Sequence, residues 1–299
     1  MDFKTKLLNY FNIDENLYKE LSKPVNELTL PNPSNFEGME KAKNIINETI
    51  KNNEKIVIYG DYDCDGIMST SIMVKCFNML NYRVGYYVPS RYIDGYGLNE
   101  KRVQDFYDKG YKLIITVDNG IAQFAAIKRA YELGMKVIVT DHHEQQETLP
   151  EAEVILHPLI SNYGDVVCCG AYVAFMLASS LLNKCDKYLL SLAAIATISD
   201  MMPLRKYNRD IVRLGIYYMN QNHYYPISLL ADNLIIDENI IGLKIAPKIN
   251  AVGRMIETTS INSLIEYFVS DNKERIDTIY NFINETNEKR KLLTKNTAD

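Results

Sequence analysis

Three aspartates stand at alternate positions in the stretch GDYDCDGIMST, which covers residues 60–70. Asp61, Asp63 and Asp65 directly follow the apolar run IVIY, which is typical of a buried strand. Carboxylates this close repel one another unless cations neutralise them, and hard divalent cations such as Mg²⁺ and Mn²⁺ take oxygen ligands. The spacing therefore indicates a metal site, although a single Asp-x-Asp pair is also common in exposed loops.

Further carboxylates and two imidazoles follow other apolar runs. Asp118 follows LIITV, Asp141-His142-His143 follow VIVT, and Asp200 follows LAAIATIS. Each has a plain structural alternative, because Asp118 begins a good turn sequence, Asp141 could cap a helix and Asp200 could end one. Together they suit two metal ions about 4 Å apart, an arrangement in which metals activate water and hold phosphoryl oxygens. Imidazole ligands shift the preference toward Mn²⁺.

We expect helices to alternate with short strands between residues 38 and 156. Uninterrupted apolar runs predict buried strands, whereas apolar residues three or four apart predict helices. Strands separated by helices form parallel sheets, which bind ligands outside the carboxyl ends of their strands, where the polar residues fall. The fold class is therefore α/β, a mainly parallel sheet flanked by helices, with strands at 56–59, 84–88, 113–117, 137–139 and 154–156 and helices at 38–53, 67–80, 99–107 and 121–133.

Composition excludes several classes of protein. The chain has 299 residues, of which 47% are hydrophobic and 24% charged, and no apolar run approaches the length of a membrane span. Five cysteines without a C-x-x-C pair argue against a disulfide framework or a thiolate zinc site, and favour the reducing cytoplasm. A net charge of −5 shows no basic excess for nucleic-acid binding, but a local basic groove can lie on an acidic protein.

The motifs together resemble those of the DHH phosphoesterase superfamily, and most closely its RecJ branch of single-strand-specific 5′ to 3′ exonucleases. The matching stretches occur in the family's order between about residues 36 and 256. They are IVIYGDYDCDGIMST, YYVPSRYIDGYGL, LIITVDNGI, VIVTDHHE, CGAYVAFML, ATISDMMPL and APKINAVGRM. GDYD-x-DG combined with VTDHH is a specific signature.

The resemblance implies a role for each matching residue. The metal-ligand positions are those of Asp63, Asp65, Asp118, His142 and Asp200, with Asp118 as the bridging carboxylate. His143 is expected to contact the scissile phosphate or its leaving group, and Asp61 and Asp141 to support the ligands. Residues expected to face the substrate are Ser90, Arg91, Asn250 and Arg254. The cofactors implied are two Mn²⁺ or Mg²⁺ ions, and the partners are single-stranded DNA and single-strand-binding protein or a helicase.

The resemblance also predicts how the chain is divided. We expect an N-terminal leader of one short helix and a Pro-containing loop over 1–36, and a catalytic DHH domain over 37–215. A helical continuation with the NAVGRM motif follows over 216–271, and a charged linking helix over 272–299. In the RecJ branch this helix leads into a second domain that grips nucleic acid, so the chain is either a fragment or a short relative.

Three positions depart from the family pattern. Tyr172 and Ala246 replace glycines, and His157-Pro158 replaces Asn-Pro; a structural role for His157 is at least as well supported as a catalytic one. Two alternatives to the exonuclease remain. One is a superfamily enzyme for short oligonucleotides, cyclic dinucleotides or pyrophosphate, although Tyr59 stands where such relatives have His. The other is a non-catalytic scaffold, which the intact ligand set argues against.

Overall fold

The structure is a computed structural model that describes residues 2–161, 167–255 and 259–296. A five-stranded sheet lies among fourteen described α-helices, with a π-helical turn at Ile241–Ile245. The strands are β1 (Lys55–Tyr59), β2 (Gly85–Tyr87), β3 (Tyr111–Val117), β4 (Lys136–Thr140) and β5 (Val154–Leu156). The helices are α1 (Phe3–Tyr10), α2 (Glu15–Ser22), α3 (Met39–Lys51), α4 (Cys64–Met79), α5 (Glu100–Asp108), α6 (Phe124–Glu132), α7 (Gly170–Leu182), α8 (Lys187–Ser199), α9 (Lys206–Asn222), α10 (Tyr225–Leu230), α11 (Glu238–Ile240), α12 (Ala246–Met255), α13 (Ser263–Val269) and α14 (Lys273–Asn296).

The sheet has the strand order β2-β1-β3-β4-β5, and every pair of neighbouring strands is parallel. The α/β fold class is therefore confirmed. From β1 the chain adds β2 on one side of the sheet, and it then adds β3, β4 and β5 on the other side. The loops that leave β1 and β3 therefore run to opposite sides and open a crevice between them. The loops after β1 and β3 are those that carry Asp61 and Asp118.

The two faces of the sheet bury alternate residues of each strand, as the pleat requires. On one face, Ile56 and Ile58 join the large core formed with α3, α4, α7 and α8. On the other, Val57 and Tyr59 pack with α5 and α6 in a smaller core. Because both faces are covered, the strands read as continuous apolar runs rather than alternating ones.

Helix caps and turns explain why two helices begin at residues other than those predicted. The helix predicted to begin at residue 67 begins at Cys64, because the Asp63 side chain caps it. The helix predicted from 121 begins at Phe124, after a turn in which the Gly120 N–H donates to Gln123 Oε1. Asn99 caps α5 as predicted.

The expectation of a single short helix in the leader is wrong. Two helices form there, α1 and α2, each begun by an aspartate cap at Asp2 or Asp14. The two helices predicted between 170 and 198 are present as α7 and α8. Helix α14 accounts for the charged pattern predicted after residue 272. Among the described residues, no helix is both long and apolar enough to cross a membrane.

Candidate metal centre

The carboxyl ends of four strands are aligned, which brings the chemical residues to one edge of the sheet. Tyr59 at the end of β1 pairs with Thr116 of β3, and Val117 pairs with Thr140 of β4. Thr140 in turn pairs with Leu156 of β5. The residues that follow these ends are Asp61, Asp118, Asp141 and His157, so their convergence results from strand register.

The turn between β1 and α4 holds the three aspartates. Asp63 caps α4, with its Oδ1 accepting the Gly66 N–H at 3.0 Å. Gly66 is required by the tightness of this turn, because a Cβ there would lie 2.5 Å from the Asp61 carbonyl oxygen. Asp61 and Asp65 are buried, whereas Asp63 is partly exposed. The turn therefore directs three carboxylates to one side of the helix N-terminus.

Asp65 binds the N-terminus of a second helix. Its two carboxylate oxygens accept the N–H groups of Gly170 at 2.6 Å and Ala171 at 2.8 Å, in the first turn of α7. The first N–H groups of a helix have no partner within it and carry its positive dipole end. Asp65 thus connects α4 to α7 while one of its oxygens still faces His142.

Asp118 occupies an unusual backbone position at the centre of the site. Its φ of 60° lies in the left-handed region, and its N–H donates to the Thr140 carbonyl at 2.9 Å. A Cβ on Gly170 would lie 2.5 Å from Asp118 Oδ1, so the glycine leaves the space that this carboxylate fills. Asn119 fixes the turn by donating to the carbonyls of Tyr59 and Val117.

The Nε2 atom of His142 lies among three carboxylates. It is 3.1 Å from Asp118 Oδ1, 3.5 Å from Asp65 Oδ2 and 3.7 Å from Asp200 Oδ2. Burial lowers the pKa of His142, although the charges of neighbouring aspartates oppose this effect. A neutral imidazole is the form that binds metal ions.

Asp141 organises the loop that carries both histidines. Its Oδ1 accepts the N–H of His142 at 2.7 Å, the N–H of His143 at 3.1 Å and the His143 Nδ1–H at 2.7 Å. Its Oδ2 accepts the Ile121 N–H at 2.9 Å. Burial would raise the pKa of Asp141, but these hydrogen bonds and the His143 charge lower it. Asp141 is therefore a support for His143 rather than an open ligand.

His143 is the more basic of the two histidines. Burial alone would lower its pKa, but the hydrogen bond to Asp141 and the surrounding aspartates raise it to about 8. Its side chain is 42% exposed, and the Tyr96 hydroxyl lies 3.2 Å from its Nε2. In the sequence, Tyr96 is distinguished only by its place in the YIDGYGL stretch.

Asp61, Asp118 and Asp200 have raised pKa values, because burial and neighbouring aspartates disfavour their charged forms. Burial, followed by the charge of Asp63, raises the pKa of Asp61 to about 7. Burial, followed by the charges of Asp65 and Asp63, raises the pKa of Asp200 to about 7 and that of Asp118 well above its usual range. Among the described atoms, Asp61 Oδ1, Asp118 Oδ1 and Asp200 Oδ2 are buried without a hydrogen-bond partner.

Cations fit this site, because buried carboxylate oxygens without donors are the ligands that divalent ions take. In the described part of the chain, three groups of side chains have ligand atoms within 4.8 Å of one another. They are Asp61, Asp63 and Asp118; Asp65, His142 and Asp200; and Asp118, His142 and His143. Asp118 belongs to two of the groups, which suits a carboxylate between two ions.

Two of the four residues predicted to face substrate are exposed beside this centre. Burial and the charge of Asp61 raise the pKa of Tyr62, and the charges of Arg91 and Arg254 lower it. Because Tyr62 lies in the aspartate turn, both guanidinium groups are near that turn. The Tyr92 hydroxyl donates to the Arg254 carbonyl at 2.9 Å and joins the two loops. The two arginines form a positive border next to the acidic centre.

The other two predicted substrate residues make bonds within the protein. Ser90 is 1% exposed, and its N–H donates to Asp94 Oδ2 at 3.0 Å. Asn250 Oδ1 accepts the Cys64 N–H at 2.8 Å and so joins α12 to the start of α4. Substrate contact by Ser90 and Asn250 stays a prediction.

The three departures from the family pattern lie in well-packed places. Tyr172 is fully buried within α7, and Ala246 is buried at the start of α12. His157 is also fully buried, and its Nε2 lies 2.8 Å from the His143 carbonyl oxygen. His157, for which the sequence left a structural role open, therefore lies next to the site.

A model of the DHH family, N-terminal domain, matches residues 55–197. This part of the chain belongs to the DHH family. Its DHH domain runs from the start of β1 into α8 and contains all the candidate ligands except Asp200. The resemblance inferred from the motifs is confirmed.

Several RecJ proteins are similar to most of this chain. The single-stranded-DNA-specific exonuclease RecJ of Bacillus subtilis is 37% identical over 274 residues, which are 89% of this chain and 34% of that protein. A Thermus thermophilus RecJ structure in complex with Mn²⁺ has a TM-score of 0.81 at 26% identity and covers 97% of this chain and 42% of its own. Another RecJ structure bound to manganese has a TM-score of 0.82 at 28% identity, covering 92% and 70%. The chain thus spans about a third of the length of the B. subtilis RecJ.

Proposed function

We propose that this chain is the catalytic part of a two-metal phosphodiesterase that removes nucleotides from the 5′ end of single-stranded DNA. The observation that carries the proposal is the set of three ligand groups assembled by strand register at one sheet edge. The similarity to RecJ exonucleases, two of them seen with manganese, supports the substrate and the metal. We also propose the division into leader, DHH domain, helical continuation and linking helix.

Two Mn²⁺ or Mg²⁺ ions would be held by Asp61 and Asp63 on one side and by Asp65, His142 and Asp200 on the other, with Asp118 shared between them. When bound, such ions supply Lewis acidity toward water and toward phosphoryl oxygens. The chain's own part is to hold the carboxylates in fixed positions. Asp65 does so through α7 and Asp63 through α4.

His143 is placed to act on the scissile phosphate. Its Nδ1–H is fixed against Asp141, so Nε2 is the ring nitrogen left for a substrate, and the Tyr96 hydroxyl lies 3.2 Å from it. A histidine whose pKa is raised to about 8 carries its proton at neutral pH. It can therefore balance phosphate charge and donate a proton to the departing oxygen.

Arg91 and Arg254 would bind backbone phosphates of the strand beside the metal centre. Guanidinium groups suit this task because they donate two parallel hydrogen bonds to phosphate oxygens. Phosphate contacts carry no base information, so we expect little sequence preference. Single-strand-binding protein or a helicase as partners, and a cytoplasmic location, belong to the same proposal. The free cysteines are consistent with that location.

The test uses a 20-nucleotide single strand labelled at either its 5′ or its 3′ end, with Mn²⁺ and enzyme in excess. We expect labelled mononucleotide to be released first from the 5′-labelled strand, and no release by the Asp118→Asn variant. No product from either strand, or first release from the 3′ end, would overturn the proposal. Faster turnover of a dinucleotide or a cyclic dinucleotide than of the 20-mer would favour the small-substrate alternative.

A further inference from the structure

We propose that His157 is a positioning residue that fixes the backbone on which His143 is presented to the phosphate. The proposal rests on the proposed function, because it assumes that His143 acts in catalysis. His157 follows β5 and is fully buried. Its ring contacts the backbone of the loop that carries the two histidines.

Both ring nitrogens of His157 make backbone contacts, and together they determine its tautomer. The Leu159 N–H donates to Nδ1 at 3.3 Å, so Nδ1 must carry a lone pair. Nε2 lies 2.8 Å from the His143 carbonyl oxygen, which can only accept, so Nε2 must carry the hydrogen. His157 is therefore the neutral Nε2–H form.

The His143 peptide is held from both sides. Asp141 accepts its N–H and its ring Nδ1–H, and His157 donates to its carbonyl. Packing alone cannot fix the His143 ring, because the side chain is 42% exposed. The residues that follow, 144–149, are exposed and provide no such support. The His157 hydrogen bond is thus the constraint on the C-terminal side of His143.

His157 is itself held in a closed turn. Its N–H donates to Ser161 Oγ at 3.4 Å, and its carbonyl accepts the Ser161 N–H at 2.9 Å and the Ile160 N–H at 3.2 Å. Ser161 Oγ also donates to the Glu37 carbonyl before α3. The imidazole therefore transmits the position of a packed turn to the catalytic loop.

Two substitutions at this position separate the hydrogen bond from the bulk of the side chain. His157→Gln places an amide N–H near the position of Nε2, whereas His157→Leu fills the space without a donor. Misplacing a catalytic group by about 1 Å costs on the order of 10²-fold in rate. We expect kcat to fall about 10- to 100-fold in His157→Leu and to be largely recovered in His157→Gln. The Kd for Mn²⁺, measured by calorimetry, should change less than about threefold in either variant.

A double-mutant cycle tests whether His157 acts through His143. Once His143→Ala has removed the ring, adding His157→Leu should lower kcat little further, because groups that act as a unit are not additive. A full additional loss in the double variant would overturn the proposal. So would an unchanged kcat in His157→Leu, or a loss of Mn²⁺ binding parallel to the loss of kcat.

Nuclear magnetic resonance gives a readout that does not depend on activity. The chain has four histidines, and the His157 ring can be assigned by its loss in His157→Gln. We expect a long-range ¹H–¹⁵N spectrum to show a protonated Nε2 and an unprotonated Nδ1. The opposite tautomer would overturn the proposal even if the His157→Leu variant failed to fold. If the wild-type chain released no nucleotide, the proposed function would fail while this measurement still tested the His157 geometry.

Discussion

Replacing Asp118 by Asn removes one buried charge with almost no change in volume. The left-handed backbone at this position, with φ of 60°, is one that Asn adopts readily. Burial, followed by the charges of Asp65 and Asp63, raises the pKa of Asp118, and a neutral amide is not subject to these effects. In metal-free protein the substitution should therefore stabilise the fold, even though it removes the shared ligand.

The sign of this effect follows from the raised pKa of Asp118, and a shift of one pKa unit sets its lower bound. A carboxyl whose pKa is higher in the folded state than in the unfolded state loses stability as pH rises between the two values. Each unit of difference corresponds to about 1.4 kcal/mol. At pH 8 with chelator we expect Asp118→Asn to gain at least about 1 kcal/mol, which is a rise in Tm of roughly 2–4 °C for a chain of this size.

Asp65→Asn is the matched variant, because it makes the same chemical change but should change the metal-free Tm in the opposite direction. Both oxygens of Asp65 accept N–H groups of α7, at 2.6 and 2.8 Å. An amide in its place keeps one acceptor and leaves one buried N–H without a partner, which costs about 1–3 kcal/mol. The metal-free Tm should therefore fall by several degrees.

The assay is thermal unfolding at pH 8 with chelator and again with Mn²⁺, followed by nuclease activity. Wild-type protein should gain Tm on adding Mn²⁺, whereas both variants should gain little and release no nucleotide. If Asp118→Asn lowered the metal-free Tm as much as Asp65→Asn, the account of uncompensated charge at Asp118 would be refuted. Retention of the Mn²⁺-induced rise would refute its role as a ligand.

Three further predictions concern the surroundings of the centre. Gly170→Ala should lower both Tm and Mn²⁺ affinity, because the added Cβ would lie 2.5 Å from Asp118 Oδ1. Gly242→Ala is the control, because its added Cβ would be 3.7 Å from the nearest atom, and calorimetry should show neither quantity changed. The stability that His143 gains from its carboxylate partner should be complete below about pH 6.5 and lost as pH rises through about 8 in metal-free protein, as measured by denaturant unfolding across pH. Arg254→Ala should raise KM for a 20-mer about tenfold and reduce the salt slope of binding by about 0.7, while Arg83→Ala, at the opposite edge of the sheet, should leave both unchanged.

The fold could be predicted wherever apolar runs decide it. Strands β1, β3, β4 and β5 are built on apolar runs, and their parallel pairing follows from the helices between them. Helix starts were less predictable because they depend on caps: Asp63 begins α4 before the apolar pattern does. Asp14 likewise begins a second leader helix that composition did not indicate.

The residues of the site could also be selected from the sequence, because their types and strand-end positions coincide. Their partners could not. That Asp65 binds α7 depends on a contact between residues more than a hundred positions apart. Tyr96 and His157 lie in loops whose conformation no periodic pattern records, so their contacts with His143 required the structure.

The structure separates the aspartates into two kinds that the sequence makes look alike. Asp63, Asp65 and Asp141 accept backbone N–H groups, so they hold the fold as well as the site. Asp61, Asp118 and Asp200 each have a buried oxygen without a hydrogen-bond partner among the described residues, so their charge needs a cation. A loss of activity on substituting the first kind therefore mixes folding with chemistry. Substitutions of the second kind change metal binding together with the cost of burying an unpaired charge, and Tm measured with and without Mn²⁺ separates the two.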